Sequence, residues 1–167
     1  MAKIVSQMEM AELRKEIRQV GKTVGLCHGV FDLVHPGHMT HFREAKKIAD
    51  ILVVSITSER YVRKGPGRPY FNDAMRLEFL AGLECIDYVI LSENYTSDDV
   101  IEMVEPDFYI KGKEYQKAED DITGKITEET ELVERHGGKV AFTDGQVFSS
   151  TNLINNAFPS LPEEVKE

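Results

Sequence analysis

Short apolar runs alternate with longer helix-like segments along most of this chain, and this alternation limits the fold more than any other feature. The clearest run is ILVVSIT, residues 51–57, because a continuous β-branched stretch is typical of a strand covered on both faces. Strands separated by helices of about ten to fifteen residues favour a parallel sheet with helices on both faces. We therefore predict an α/β fold with a five-stranded parallel sheet. The predicted strands are residues 22–28, 51–57, 87–91, 107–111 and 139–143.

The segments between these runs carry signals for helix starts. Ser6 and Glu9 have the spacing of a capping box, which predicts a helix from Met8 to Val20. Pro36 stands at the first position of a second helix, where its missing N–H costs nothing. The predicted helices are 8–20, 36–50, 73–84, 96–105, 127–138 and a last short helix, 149–158; residues 58–72 and 113–125 are predicted loops.

The length of 167 residues favours one domain, since domains cluster at roughly 100–150 residues. We place this domain at residues 1–157, with a helical segment, 1–21, packed on it, and assign 158–167 to a polar tail or linker. Cys27 and Cys85 each lie in an apolar run, so we expect buried free thiols in a reducing compartment.

The charge and hydropathy of the chain exclude several classes of function. A net charge of −9 argues against general nucleic-acid binding, which depends on positive fields. No apolar stretch approaches the roughly 20 residues of a membrane helix, and no charged-then-apolar leader opens the chain. We expect a cytoplasmic protein that binds neither nucleic acid nor membrane.

The stretch GVFDLVHPGH, residues 29–38, leaves the first long predicted strand and enters a helix with two histidines. His35 and His38 could be metal ligands, an acid/base pair or part of a phosphate site. Zinc needs about three or four protein ligands, and no cysteine or carboxylate pattern accompanies the pair. General acid/base work stays open. Gly29 and Gly37 permit close backbone approach, and the free N–H groups of a helix start favour phosphate.

These residues also carry a family resemblance. GVFDLVHPGH resembles the H-x-G-H signature, with its preceding G-x-F-D, of the cytidylyltransferase-like nucleotidyltransferases. SSTNLI, residues 149–154, resembles the family's second signature at the start of the last helix, and residues 74–91 resemble its central segment. PDFYIKGKEY, residues 106–115, is similar to a segment of the heptose-phosphate adenylyltransferase branch. The motifs occur in the family's order and cover roughly residues 23–155.

The resemblance implies a Rossmann-like three-layer sandwich and assigns roles to individual residues. His35, His38 and Lys46 are the catalytic candidates, although Lys46 could instead be part of a solvated helix face. Arg76 could instead form a surface ion pair with Asp73 or Glu78. The nucleotide-binding candidates are Gly29, Val30, Phe31, Asp32, Gly37, Arg76, Lys111, Gly112, Ser149, Ser150 and Thr151.

The loop 60–68 concentrates four basic residues without an acid, in an otherwise acidic protein. It could be a solvated loop, or a flap whose cations close on phosphates. The flap candidates are Arg63, Lys64 and Arg68. We expect Mg²⁺ to arrive with a nucleoside triphosphate, with Asp32 as a candidate that helps to bind it.

We predict an enzyme that transfers a nucleotidyl group from a nucleoside triphosphate, ATP or CTP, to a sugar phosphate and releases pyrophosphate. The resemblance implies a heptose-1-phosphate adenylyltransferase-like activity and a homodimer. The alternatives are a CTP-dependent glycerol-3-phosphate or polyol-phosphate cytidylyltransferase and a non-catalytic nucleotide-binding module. Redox dinucleotide binding is not expected, because the chain lacks the G-x-G-x-x-G turn after the first strand. The chain departs from the family pattern at His28, at Phe148 and in the segment 113–127. These departures leave the identity of the nucleobase and of the acceptor substrate open.

Overall fold

The computed structural model describes residues 1–115 and 125–145, which form one six-stranded sheet and the helices around it. The strands are β1 (Lys3–Ile4), β2 (Val24–Gly29), β3 (Ile51–Thr57), β4 (Tyr88–Ser92), β5 (Phe108–Gly112) and β6 (Lys139–Thr143). The helices are α1 (Gln7–Gln19), α2 (Pro36–Ile48), α3 (Asp73–Ala81), α4 (Asp98–Val104) and α5 (Lys125–Arg135), with 3₁₀ turns at Glu59–Tyr61 and Lys113–Tyr115.

All pairings in the sheet are parallel, in the order β1-β4-β3-β2-β5-β6, which confirms the predicted parallel α/β fold. The predicted count of five strands is wrong, because β1 adds a sixth strand beside β4. Lys3 pairs with Tyr88 and Ile4 with Val89. A two-residue strand has no periodicity of its own, so it forms only because β4 presents an unpaired edge.

Helices cover both faces of the sheet. Leu52 and Val54 of β3 belong to a cluster that includes Phe42 from α2 and Leu80 from α3. Val53, between them in sequence, belongs to the opposite cluster, which receives residues from α1, α4 and α5. This alternation follows from the strand's period of two, and it explains why ILVVSIT is apolar throughout. Among the described helices, none is both long and apolar enough to span a bilayer.

Local signals placed most helix starts correctly. The Ser6 hydroxyl accepts from the Glu9 N–H, and the Glu9 carboxylate accepts from the Ser6 N–H, which completes the predicted capping box of α1. Asn72 accepts from the Met75 N–H and caps α3. The predicted loop 58–72 contains the first 3₁₀ turn. The predicted last helix, 149–158, lies outside the described residues.

The sheet has a switch point between β2 and β5. From β2 the chain proceeds to β3 and β4 on one side, whereas β5 and β6 add on the other side. The loops after these strands therefore diverge and leave a crevice at the carboxyl edge, which is where open parallel sheets bind ligands.

Candidate active site

A cavity of ≈ 460 Å³ lies at this switch point. The start of α2 and the ends of β2, β3, β5 and β6 meet around it, so segments distant in sequence share one space. Of the predicted site residues, the cavity wall includes Gly29, Val30, Phe31, His35, Gly37, His38, Lys64, Lys111 and Gly112. The wall also includes His28, His41, Thr57, Glu114, Tyr115 and Thr143 among others.

The turn after β2 brings backbone close to the cavity. Phe31 has a left-handed backbone, with φ 46°, which a non-glycine residue rarely adopts. Its ring packs edge-on against His38 and Phe42, with ring centroids 5.4 and 5.1 Å away. A Cβ at Gly29 would lie 2.9 Å from this ring, so the turn requires glycine there.

The two motif histidines stack on each other at the start of α2. Their ring centroids are 3.9 Å apart with an interplanar angle of 27°. The backbone N–H of His35 donates to Nδ1 of His38 over 3.3 Å. Because Nδ1 of His38 accepts this bond, the neutral ring carries its proton on Nε2. His38 therefore presents an N–H donor for an anion.

Both motif rings are neutral at pH 7 before any ligand binds. Burial lowers the pKa of His38 to about 4, and positive charge at His35, His41 and Lys64 contributes to the shift. Burial also lowers the pKa of His35. A bound polyanion supplies the opposite charge, which raises the pKa of an imidazole. The pair is thus suited to hydrogen bonding in the free protein and to charge neutralisation once phosphate arrives.

Lys64 is the flap cation that reaches the cavity. Within the described residues, its ammonium has no ion pair or hydrogen bond with another side chain or with the backbone. Burial lowers its pKa, with the Arg68 charge adding to this effect and Asp32 opposing it. Lys64 is an exposed residue, and its ammonium, which has no ion pair among the described residues, creates a local positive field beside two imidazoles.

The other two flap candidates have structural contacts instead. The guanidinium of Arg68 forms an ion pair of 2.9 Å with the carboxylate of Asp32. Arg63 lies over the ring of Tyr95, 4.3 Å from its centroid. Neither side chain lines the cavity, so Lys64 is the one flap candidate of the three that the structure brings to it.

Asp32 anchors the flap and does not face the cavity. Besides Arg68, its carboxylate accepts from the backbone N–H groups of Tyr70 and Phe71, at 3.0 and 3.1 Å. Its side chain is 3% exposed. With its oxygens bonded to three donors, Asp32 is a fastening point between the β2–α2 turn and the flap. In this structure the carboxylate is therefore occupied by protein donors, and it is not among the residues that line the cavity.

Arg76 is also buried, and it is not among the residues that line the cavity. Its guanidinium donates to the carbonyl oxygens of Val30, at 2.7 Å, and Thr57, at 2.9 Å. The same side chain bonds Asp73 and the Phe71 carbonyl, so all its nitrogens have protein partners. Arg76 therefore ties the loops after β2 and β3 to α3, and the expected ion pair with Asp73 is internal.

Lys46 lies in the last turn of α2, at the opposite end of the helix from His35 and His38. Its ammonium forms an ion pair of 2.6 Å with Asp87 and bonds the Asp50 carbonyl. Asp87 also accepts from the N–H of Leu52, near the start of β3, which is the edge of the sheet opposite the cavity. The structure thus places Lys46 away from the cavity and its motif histidines.

The end of β5 forms a second wall. Lys111 lines the cavity, but its ammonium forms an ion pair of 2.7 Å with Glu129 of α5. Glu129 is held in turn by the hydroxyls of Ser97 and Tyr109. A Cβ at Gly112 would lie 2.2 Å from the Glu114 carboxylate, so this glycine makes room for Glu114.

Two histidines of the cavity were missed as site residues. His28 contacts the hydroxyls of Ser55 and Thr57, and burial lowers its pKa to about 4. His41 follows His38 by three residues, and Nδ1 of His41 lies 2.7 Å from the Thr143 hydroxyl. Helical spacing from His38 was the signal that could have identified His41. The predicted residues Ser149, Ser150 and Thr151 lie outside the described residues.

Comparisons with known proteins agree with this geometry. A family model described as cytidylyltransferase-like matches residues 26–156. Relatives named "Bifunctional protein HldE" from Syntrophotalea carbinolica and Campylobacter fetus are 35% and 36% identical, over 89% and 92% of this chain. The alignments cover 30% and 31% of those proteins, so the chain spans about a third of the length of these curated relatives.

Two solved structures share the fold. The lipopolysaccharide core biosynthesis protein from Thermoplasma volcanium matches with a TM-score of 0.61 at 25% identity, over 77% of this chain and all of that one. Pantoate-beta-alanine ligase from Francisella tularensis, solved with a nucleotide and beta-alanine, matches with a TM-score of 0.61 at 15% identity, over 99% of this chain and 84% of that one. The family model, the relatives and the imidazole-lined switch point agree, and the chain belongs to the cytidylyltransferase-like family of nucleotidyltransferases.

Proposed function

We propose that this protein transfers a nucleotidyl group from ATP or CTP to a sugar phosphate and releases pyrophosphate, in the manner of a heptose-1-phosphate adenylyltransferase. The observation that carries this proposal is the clustering of His35, His38 and Lys64 at the start of α2, inside one cavity. Two neutral imidazoles and an ammonium that has no ion pair among the described residues are groups suited to binding a triphosphate.

The reaction needs positioning and charge neutralisation and no protein nucleophile. A phosphate oxygen of the acceptor attacks the α-phosphorus, a new P–O bond forms, and the bond to the pyrophosphate breaks with its electron pair on the leaving oxygen. Nε2–H of His38 donates to the oxygens on which charge accumulates. Lys64 neutralises the triphosphate, and the N–H groups at the start of α2 bind its oxygens.

We propose that Mg²⁺ enters as part of the nucleotide substrate. Within the described residues, no three histidine, cysteine or carboxylate side chains gather to hold a metal. Asp32, the carboxylate that we considered for this role, is bonded to Arg68 and to two backbone N–H groups. The described residues therefore do not fit a resident metal site, and no step is assigned to a protein-bound ion.

The choice of a sugar phosphate rests on likeness. The relatives are named as bifunctional HldE proteins, and one similar structure is described as a lipopolysaccharide core biosynthesis protein. The segment KGKEY, residues 111–115, is similar to the heptose-phosphate branch and forms part of the cavity wall. The homodimer and the cytoplasmic location remain predictions.

The direct test is a screen for pyrophosphate release. ATP, CTP, GTP and UTP are each combined with heptose, hexose, glycerol and other polyol phosphates, with MgCl₂ present. We expect release with ATP and a sugar 1-phosphate. Release with CTP and glycerol 3-phosphate would favour the cytidylyltransferase alternative. Absence of release from every pair, with the triphosphate still bound, would contradict an enzyme and favour a nucleotide-binding module.

A further inference from the structure

A third imidazole lines the same cavity, one helical turn beyond His38, and the phosphate chemistry does not use it. His41 lies between the start of α2 and the wall formed by the ends of β5 and β6. Its role rests on the proposed function, because it concerns what binds in the part of the cavity beyond the triphosphate.

The hydrogen bonds of His41 give its ring the opposite polarity to that of His38. Nδ1 of His41 is 2.7 Å from the hydroxyl of Thr143, a residue that is 4% exposed. That hydroxyl lies 3.4 Å from the Lys111 carbonyl, to which it can donate. The chain of bonds then runs from Nδ1–H of His41 through the Thr143 hydroxyl to the carbonyl. Nε2 of His41 carries a lone pair, and the ring is an acceptor.

Charged side chains also surround His41. Glu114, which lines the cavity, and Glu44, on the next turn of α2, place negative charge near the ring. Lys111 is the opposing cation, and its ammonium is bound to Glu129. Lys113 also lines this wall, and its ammonium donates to the Asp144 carbonyl. Both lysines of this wall thus have acceptor partners, and the Glu114 carboxylate also lines the cavity, whereas the start of α2 presents donors.

We infer that His41 and Glu114 form a subsite for a neutral hydrogen-bond donor of the substrate, and that His41 is a specificity-determining residue. An uncharged hydroxyl of the acceptor sugar and the exocyclic amine of the nucleobase both have this chemistry. A phosphate lacks the required donors and is repelled by Glu114. Two histidines of one helix thus bind different parts of the substrates, because their tautomers differ. His38 donates to the charged phosphates, and His41 accepts from an uncharged group.

Two variants separate binding from structure. In His41→Asn the amide nitrogen takes the place of Nδ1 and keeps the bond to Thr143, but nothing replaces Nε2. In His41→Gln the amide oxygen takes the place of Nε2 as an acceptor. The matched control is His136→Asn, which changes a half-buried histidine beside Glu105, outside the cavity. A thermal melt of each variant checks the fold.

The kinetic arms distinguish the two donors. ATP is compared with inosine triphosphate, which lacks the exocyclic amine, and the acceptor is compared with its deoxy analogues. We expect His41→Asn to raise KM about tenfold for one donor-bearing substrate and to abolish its preference over the analogue, with kcat little changed. His41→Gln should retain most of the preference. Equal loss with all substrates, or no change in any, would overturn the inference.

Nitrogen-15 NMR of the labelled full chain tests the tautomer without any turnover. We expect the proton of His41 on Nδ1 and that of His38 on Nε2. The His41 signal should shift on addition of ATP or of mannose 1-phosphate, and less with the matching analogue. A proton on Nε2 of His41, or no shift with either probe, would refute the subsite. If the wild type releases no pyrophosphate, the proposed function fails separately, and these spectra still decide the role of His41.

Discussion

Lys46 and Lys64 are both candidates for phosphate contact in the sequence, but only Lys64 lines the cavity. Exchanging each lysine for methionine therefore tests the site. Lys64→Met removes the cavity ammonium that has no counter-ion among the described residues and keeps most of the apolar stem. Loss of one charge-stabilising contact in a transition state costs about 10²–10³ in rate, or roughly 3–4 kcal/mol. We therefore expect kcat for pyrophosphate release to fall by that factor in Lys64→Met.

Lys46→Met is the matched control. It breaks the ion pair with Asp87, in which both side chains are 32% exposed, and such pairs contribute about 0.2–1 kcal/mol. Asp87 keeps the bond from the Leu52 N–H, so no buried charge is left unpaired. We expect Tm to drop by about 1–4 °C with kcat within about twofold of the wild type. The assay is continuous pyrophosphate release at saturating substrates, together with a thermal melt. A large loss of kcat in Lys46→Met with normal kcat in Lys64→Met would refute this interpretation of the cavity.

Three further predictions concern the catalytic role of His38, the Asp32 contact with the flap and the pH dependence of stability. His38→Ala should lower kcat by about 10²–10³ while the circular dichroism spectrum stays unchanged, and wild-type turnover would exclude a catalytic role. Asp32→Asn should weaken its bond to Arg68, raise KM for the triphosphate and speed proteolysis within 60–68; an unchanged cleavage rate would contradict the anchor. Stability should fall between pH 6.5 and about 4, because His28 and His38 stay neutral in the fold with pKa values about 4, while the unfolded chain takes up protons below about 6.5. Urea unfolding should show a loss of roughly 4 kcal/mol between pH 7.5 and 5, about 2 kcal/mol from each ring, and a flat profile would show that the pKa values of these rings are not lowered.

Much of the fold was predictable because it depends on local patterns. The apolar strand 51–57, the Ser6 capping box and Pro36 at the start of α2 are all short-range signals, and the structure has each of them. β1 was missed because its two residues become a strand by pairing with a partner more than eighty positions away. No local pattern carries such a pairing.

The site was predictable to the level of segments but not of side chains. The basic loop 60–68 was identified, yet sequence could not show which cation faces the cavity, since Arg63 and Arg68 have partners in other loops. Sequence patterns could not show the contacts of Arg76, because its carbonyl partners, Val30 and Thr57, lie at the ends of two different strands. The position of Lys46 was predictable from helix geometry, because eight residues after His38 correspond to about 12 Å along the helix axis.

The buried Arg76 has a mechanical consequence for this protein. One side chain bonds the carbonyls of Val30 and Thr57, so the ends of two neighbouring strands cannot separate without breaking one of these bonds. Ser58 and Glu59 are bonded to Asp73. Between that attachment and Arg68, the peptide can pivot about Gly65 and Gly67, both of which have positive φ. Inserting or deleting residues in 63–67 should therefore change how closely the loop 60–68 packs over the cavity, while the strand ends bonded by Arg76 keep their positions.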